Sequence, residues 1–121
     1  MSKKILIVDD ASLIRNIAER AVVEAGHEAV LASNGQEGLD ALEQGGIELI
    51  FSDINMPIMG GFEMIETIRQ HDRYKFIPIV MLTTESKEEL KQRAQKSNVK
   101  AWLLKPFNKD KFLLVLKKIL G

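Results

Sequence analysis

Three aspartates, a pair of threonines and a lysine each follow a short apolar run in this sequence. Asp9-Asp10 closes Ile5-Leu6-Ile7-Val8, Asp53 closes Leu49-Ile50-Phe51-Ser52, Thr83-Thr84 closes Ile77-Pro78-Ile79-Val80-Met81-Leu82, and Lys105-Pro106 closes Ala101-Trp102-Leu103-Leu104. Singly, each has a plain structural explanation. Asp10 could cap a following helix, Asp53 could start a turn, Thr83 or Thr84 could be another cap, and Lys105 could be a surface lysine before a proline turn. Jointly they point to chemistry, because carboxylates gathered at one edge repel unless a cation is present, and hard oxygen ligands suit Mg²⁺. Carboxylates with an ammonium and a hydroxyl can handle a phosphoryl group: metal and ammonium offset its charge, and one carboxylate can be the nucleophile. Absence of cysteine excludes disulfides, thiolate catalysis and Cys-ligated metals, and His27 and His71 lack metal-ligand spacing. Any metal site must be built from oxygen.

For these side chains to meet, the runs that carry them must be strands of one sheet. Each run is short and continuously apolar, as expected of strands covered on both faces. Between them the periodicity turns helical. Leu13, Ile14, Ile17, Ala18, Ala21 and Val22 recur at helical spacing up to Gly26, which should terminate the helix. Glu28–Ala32 reads as a second strand, and Asn34-Gly35-Gln36-Glu37 has the form of an N-terminal cap on a helix ending at Gly45-Gly46. Met56–Gly61 reads as a loop before a helix with Phe62, Ile65 and Ile68 on one face. Ser86-Lys87-Glu88-Glu89 reads as a capping box, and Phe112, Leu113, Leu116, Ile119 and Leu120 mark a last helix. Five strands alternating with five helices predict an α/β fold, a single doubly wound five-stranded parallel sheet spanning residues 1–121. In such a sheet, sites form beyond the carboxyl ends of the strands, where these residues stand.

A chain of 121 residues with ordinary proportions of apolar and charged residues is large enough for one domain with its own core. No apolar run approaches the roughly 20 residues needed to cross a bilayer, and the N-terminus lacks the features of a signal peptide. A cytoplasmic location without membrane association is expected. The net charge of zero conceals an asymmetry: residues 1–86 carry 7 Lys/Arg against 14 Asp/Glu, and residues 87–121 carry 10 against 3. A basic face near the C-terminus, suited to an acidic protein segment, competes with a merely solvated lysine-rich surface. Nucleic acid is not an expected partner, because the rest of the domain is as acidic as this part is basic.

Other phosphate-handling architectures fail at the same positions. The turn after strand one is Asp9-Asp10-Ala11-Ser12, which lacks the glycines of a dinucleotide-binding turn or a P-loop. A haloacid-dehalogenase-type phosphatase would require a second aspartate where Ala11 stands.

Over essentially its whole length the chain resembles a response-regulator receiver domain. The resemblance is carried by Ile-Leu-Ile-Val-Asp9-Asp10, Asp53-Ile-Asn-Met-Pro57 with Gly61, Met-Leu-Thr83 and Lys105-Pro106-Phe107, in order and at the right spacing. It implies a flavodoxin-like receiver fold with Asp53 as phosphoacceptor and a Mg²⁺ site formed by Asp9, Asp10, Asp53 and the backbone carbonyl of Asn55. It further implies that Thr83 and Lys105 contact the phosphoryl group and that Lys105-Pro106 is a cis peptide. Trp102 would be the aromatic switch residue, and Asn55 and Glu85 would tune dephosphorylation. Gly60, where many relatives carry an acidic residue or Asn, is a departure expected to loosen the loop after Asp53.

The resemblance implies a phosphoacceptor switch rather than an enzyme, assisting its own phosphorylation and dephosphorylation. Its partners would be a histidine kinase, an effector protein such as a flagellar motor switch component, and a phosphatase. Because the chain given ends with the last expected helix, output by contact is expected, as in chemotaxis-type single-domain regulators. A phosphorelay intermediate that passes its phosphoryl group to a histidine phosphotransfer protein, and a receiver excised from a longer regulator, are the alternatives.

Overall fold

The computed structural model describes residues 2–84, 88, 92, 93 and 96–120. Nine elements follow in chain order: β1 (Lys4–Val8), α1 (Ser12–Glu24), β2 (Glu28–Ala32), α2 (Gly35–Glu43), β3 (Ile47–Asp53), α3 (Gly61–Arg69), β4 (Ile79–Thr83), β5 (Ala101–Leu104) and a last helix, here α4 (Lys109–Leu120). The strands form one parallel sheet in the order β2-β1-β3-β4-β5. The α/β fold predicted from the alternating periodicity is therefore present, with four described helices rather than five. The capping box expected at Ser86–Glu89 falls largely outside the described residues, as do Glu85, Leu90 and Ala94; Glu88, Gln92, Arg93 and Lys96 are helical.

Alternation along the strands divides the core between the two faces of the sheet. Leu6, Val8, Ile50, Ile79 and Met81 point to the face covered by Leu42 of α2 and Phe62, Met64, Ile65 and Ile68 of α3. Ile5, Ile7, Phe51, Val80 and Leu82 point to the opposite face, where α1 contributes Ala18, Ala21 and Val22 and α4 contributes Phe112 and Leu116. The Phe112 ring packs tilted against Phe51, with centroids 4.3 Å apart, and lies 5.7 Å from Phe107, joining β3, the loop after β5 and α4. Burial on both faces explains why the central strands read as unbroken apolar runs rather than alternating ones.

Local chemistry fixes the helix ends. Asn34 Oδ1 accepts from the Glu37 backbone N–H at 2.9 Å, while Glu37 Oε1 accepts from the Ser33 N–H at 2.9 Å, so two otherwise unpaired donors are satisfied as the sequence predicted. The Ser33 N–H also holds the Glu37 carboxyl below its ordinary pKa. Gly26 ends α1 with φ +88°, a left-handed conformation in which a β-carbon is strained. Arg69, at the end of α3, donates to the carbonyls of Lys75 and Ile77 at 2.8 Å, Asn98 at 3.0 Å and Ser97 at 3.1 Å. One side chain thus ties α3 to the segments preceding β4 and β5, and its burial draws the guanidinium pKa below the usual value.

Three sequence expectations shift. β3 begins at Ile47, two residues before the predicted start. β4 begins at Ile79 rather than Ile77, because Pro78 has no N–H for the ladder and the Ile77 N–H is turned to the Tyr74 carbonyl at 3.0 Å. Leu13, read as part of the core stripe of α1, is 68% exposed. At 100° per residue it lies about 140° around the helix from Ala18, off the buried face.

Truncating Phe112 to Ala is expected to destabilise the protein by about 3–5 kcal/mol, because it removes the ring shared by three elements. Leu13→Ala is expected to change stability by less than about 0.5 kcal/mol. Urea denaturation of both variants checks the assignment, and equal costs would contradict it.

Candidate functional site

Strand order and register bring the chemistry-bearing residues together. Val8 pairs with Ser52 and Asp53 with Leu82, so Asp9 and Asp53 leave the sheet side by side at the centre of its carboxyl edge. Thr83 pairs with Leu104, and the Lys105 N–H extends that ladder to the Thr83 carbonyl at 2.7 Å, which places Lys105 beside Asp53. The Lys105–Pro106 peptide is cis, as the resemblance implied.

Lys105 Nζ lies 2.7 Å from Asp9 Oδ2 and 3.2 Å from Asp53 Oδ1. Carboxylate oxygens of Asp9, Asp10 and Asp53 all lie within 4.8 Å of one another. Asp9 is fully buried, Asp53 is mostly buried with 14% of its side chain exposed, and Asp10 stands exposed at the mouth. Asp10 does not cap α1: the N-cap is Ala11, without a side-chain cap, and its N–H donates to Asp9 Oδ1 at 2.9 Å. Thr83, 4% exposed, closes β4 beside the pair, while Asn55, two residues beyond Asp53, is exposed. Glu85 lies outside the described residues. Trp102 packs half-buried against the α2/α3 side of the core, on the strand beside Met81, with its indole nitrogen buried and without a partner among the described residues.

Burial pushes the Asp53 carboxyl above its ordinary pKa, and the neighbouring Asp9 charge pushes it further; Lys105 and the Ile54 N–H, which donates to Asp53 Oδ1 at 2.8 Å, oppose this. Burial opposes the charge of Lys105 too, but hydrogen bonds and attraction from Asp9 and Asp53 win and raise its pKa. The Asp9 contribution to the first shift and the rise in the second reflect the carboxylates gathered around Lys105.

The donor set fits a small hard cation. Its side-chain donors are all carboxylate oxygens, and apart from the Lys105 contact, buried Asp9 Oδ2 has no hydrogen-bond donor among the described residues. Mg²⁺ prefers oxygen ligands near 2.1 Å and usually keeps several waters, and exposed Asp10 leaves the mouth open to them.

The loop after Asp53 is built around close contact. The Gly61 N–H donates to the Ile54 carbonyl at 2.8 Å, and a Cβ on Gly61 would overlap the Asp53 carbonyl oxygen. Gly60, at φ −81°, has a conformation any residue can adopt, with 3.0 Å between an added Cβ and the Ile54 carbonyl oxygen. The left-handed residue of this loop is Ile58, at φ +70°. Sequence reasoning missed Arg15, whose Nη1 donates to the Asp9 carbonyl at 2.6 Å from one turn into α1. No feature of the sequence separates it from an ordinary surface arginine.

Two outcomes follow from this geometry. Gly61→Ala is expected to cost at least about 2 kcal/mol, since the Asp53 backbone must move, and Gly60→Ala less than half as much; urea denaturation measures both. Because the folded-state pKa of Asp53 is raised, its ionised form opposes folding at neutral pH. In chelator at pH 7, Asp53→Asn is therefore expected to raise Tm by roughly 2–6 °C. The gain should shrink as pH falls through the folded pKa and vanish below the unfolded value of about 3.9. A destabilised Asp53→Asn protein at pH 7 would contradict the electrostatics.

The chain is similar to known proteins over nearly its whole length. A model of the response regulator receiver domain matches residues 5–117. The chain is 34% identical over 120 residues to a chemotaxis protein CheY homolog of Campylobacter jejuni, covering 98% of this chain and 92% of the relative. It is also 34% identical to chemotaxis protein CheY1 of Helicobacter pylori, covering 98% of this chain and 97% of that protein. The solved structure of chemotaxis response regulator CheY4 of Vibrio cholerae matches with a TM-score of 0.92 at 39% identity, covering 98% of this chain and 99% of that one. With the sheet order, the acidic cluster and its lysine on one edge, these matches establish that the chain belongs to the response regulator receiver domain family and is of the CheY type.

Proposed function

We propose that the chain is a phosphorylation-activated switch of chemotaxis type, in which Asp53 takes a phosphoryl group from a histidine kinase and the modified domain binds an effector protein. One observation carries the reading: a single ammonium, Lys105, sits 2.7 Å from Asp9 and 3.2 Å from Asp53 at the mouth of a three-aspartate pocket. Such a pocket needs more positive charge, and an incoming phosphoryl group needs the charge this site can gather.

In the reaction, an Asp53 oxygen attacks the phosphorus of the donor, and its P–N bond, or P–O bond for an acyl phosphate, breaks with the electron pair leaving on the donor. The product is a mixed anhydride on Asp53, which water later hydrolyses to carboxylate and inorganic phosphate. The raised basicity of Asp53 favours attack, and its Oδ1 is already oriented by the Ile54 N–H. Lys105 moves from Asp9 to the new phosphoryl oxygens, the Thr83 hydroxyl donates to another, and the close Asp53–Gly61 contact couples the following loop to the Asp53 backbone. Asp9, Asp10, Asp53 and the Asn55 carbonyl would hold Mg²⁺, which when bound supplies further offset of phosphoryl charge. Asn55 and Glu85 would set how readily hydrolytic water reaches the anhydride.

The output face would be the β5–α4 side. Leu104 and Leu114 are 46% and 69% exposed there, and Lys100 and Lys117 are exposed. Lys87 and Lys91, which also belong to the basic C-terminal part of the sequence, lie outside the described residues. Lys109 is occupied instead, paired with Glu24 of α1 at 2.8 Å, and that partner raises its pKa.

With Mg²⁺ and acetyl phosphate, intact-mass analysis should show one added phosphoryl group, absent from Asp53→Asn. Asp10→Ala should raise Tm in chelator and lose the Mg²⁺-induced rise. Thr83→Ala should still be labelled but fail to change Trp102 fluorescence as the wild type does. Undiminished labelling of Asp53→Asn would overturn the acceptor assignment.

A further inference from the structure

Between Ser86 and Ser97 the sequence has only two apolar residues, Leu90 and Ala94. The contacts made by its described residues therefore carry more weight than apolar burial does. Two arginines provide such contacts among the described residues. The guanidinium carbon of exposed Arg93 sits 4.2 Å from the centroid of the Phe62 ring, well within cation–π range. At the other end, Arg69 of α3 grips the Ser97 and Asn98 carbonyls at 3.1 and 3.0 Å.

Phe62 is tied to the proposed acceptor more tightly than core packing alone requires. It follows Gly61, whose N–H is bonded to the Ile54 carbonyl at 2.8 Å and which leaves no room for a side chain against the Asp53 carbonyl. A displacement of the Asp53–Ile54 backbone therefore carries Gly61 and the Phe62 ring with it. The ring is 3% exposed, so Arg93 covers it from outside.

We propose that the Phe62–Arg93 stack is a latch holding the helical residues Gln92, Arg93 and Lys96 against α3 in the unphosphorylated protein, with Arg69 as the hinge beyond it. Phosphorylation of Asp53, the reading on which this proposal builds, shifts the Asp53–Gly61 contact, slides the ring from under the guanidinium and releases the latch. The attraction acts only over the ring face, so a small slide is enough to weaken it. Losing one exposed contact of this kind shifts a two-state equilibrium by about two- to fivefold.

Amide hydrogen exchange on the intact protein tests the latch. Arg93→Met keeps an unbranched side chain and removes the cation. It is expected to speed exchange at Gln92, Arg93 and Lys96 by about two- to fivefold, with Ser97 and Asn98 unchanged. Arg93→Lys should have a smaller effect, and Arg69→Met should act on Ser97 and Asn98 instead. In a Phe62→Leu background, Arg93→Met should add nothing, which separates a specific stack from general loosening. With Mg²⁺ and acetyl phosphate, wild-type exchange at Gln92, Arg93 and Lys96 should rise to the Arg93→Met level, and that variant should rise no further.

An Arg93→Met protein that exchanges like wild type, an undiminished effect of Arg93→Met in the Phe62→Leu background, or an equal phosphorylation response in both proteins would each overturn the latch. Intact mass, read on the same samples, keeps the two claims apart. A wild type that takes up no phosphoryl group overturns the acceptor reading, and the unphosphorylated comparison still decides whether the stack holds these residues.

Discussion

The contact of Lys105 with Asp9 and Asp53 is the interaction on which the rest of the site depends. A fully buried carboxylate is costly unless paired, and Asp9 is fully buried with Lys105 within 2.7 Å. The same ammonium stands 3.2 Å from Asp53, so it offsets two carboxylates while Asp10 remains in solvent. This leaves a pocket with excess negative charge, ready for a cation and, with it, for a phosphoryl group. The fold serves this arrangement. Adjacency of β1 and β3 puts the two aspartates together, and the ladder from β4 to β5 delivers the lysine.

The surrounding packing fixes the strands that carry the pocket. β1, β3 and β4 are buried on both faces, so the strand ends that carry Asp9, Asp53 and Thr83 are fixed by the core. Gly61 clamps the loop behind Asp53 through a contact that no other residue type could make. Past Thr83 the sequence from Lys87 to Lys96 is poor in apolar residues.

Much of this was legible in the sequence. β2 and β5 and the Asn34 cap were read residue by residue, because strong local signals there agree with tertiary packing. Convergence of Asp9, Asp53, Thr83 and Lys105 followed from their places at strand ends, and Asp10 joined the cluster rather than capping α1. What escaped the sequence depends on three-dimensional detail. The exposure of Leu13 reflects the orientation of α1, the later start of β4 reflects the missing donor of Pro78, and the pairing of Lys109 with Glu24 reflects how α4 lies beside α1. The roles of Arg15, Arg69 and Arg93 arise from contacts with carbonyls or a ring outside their own helices, and arginine on a helix surface carries no signal of such a partner.

The central claim is that Lys105 is held between two carboxylates so that it can transfer to a phosphoryl group on Asp53. A structure with Mg²⁺ and beryllofluoride, a mimic of the phosphoryl group, tests it most directly. The expected result is beryllofluoride on an Asp53 carboxylate oxygen, with Lys105 Nζ moved from Asp9 to one of its fluorides. Beryllofluoride bound elsewhere, or Lys105 still paired with Asp9 while Asp53 carries the adduct, would contradict the account.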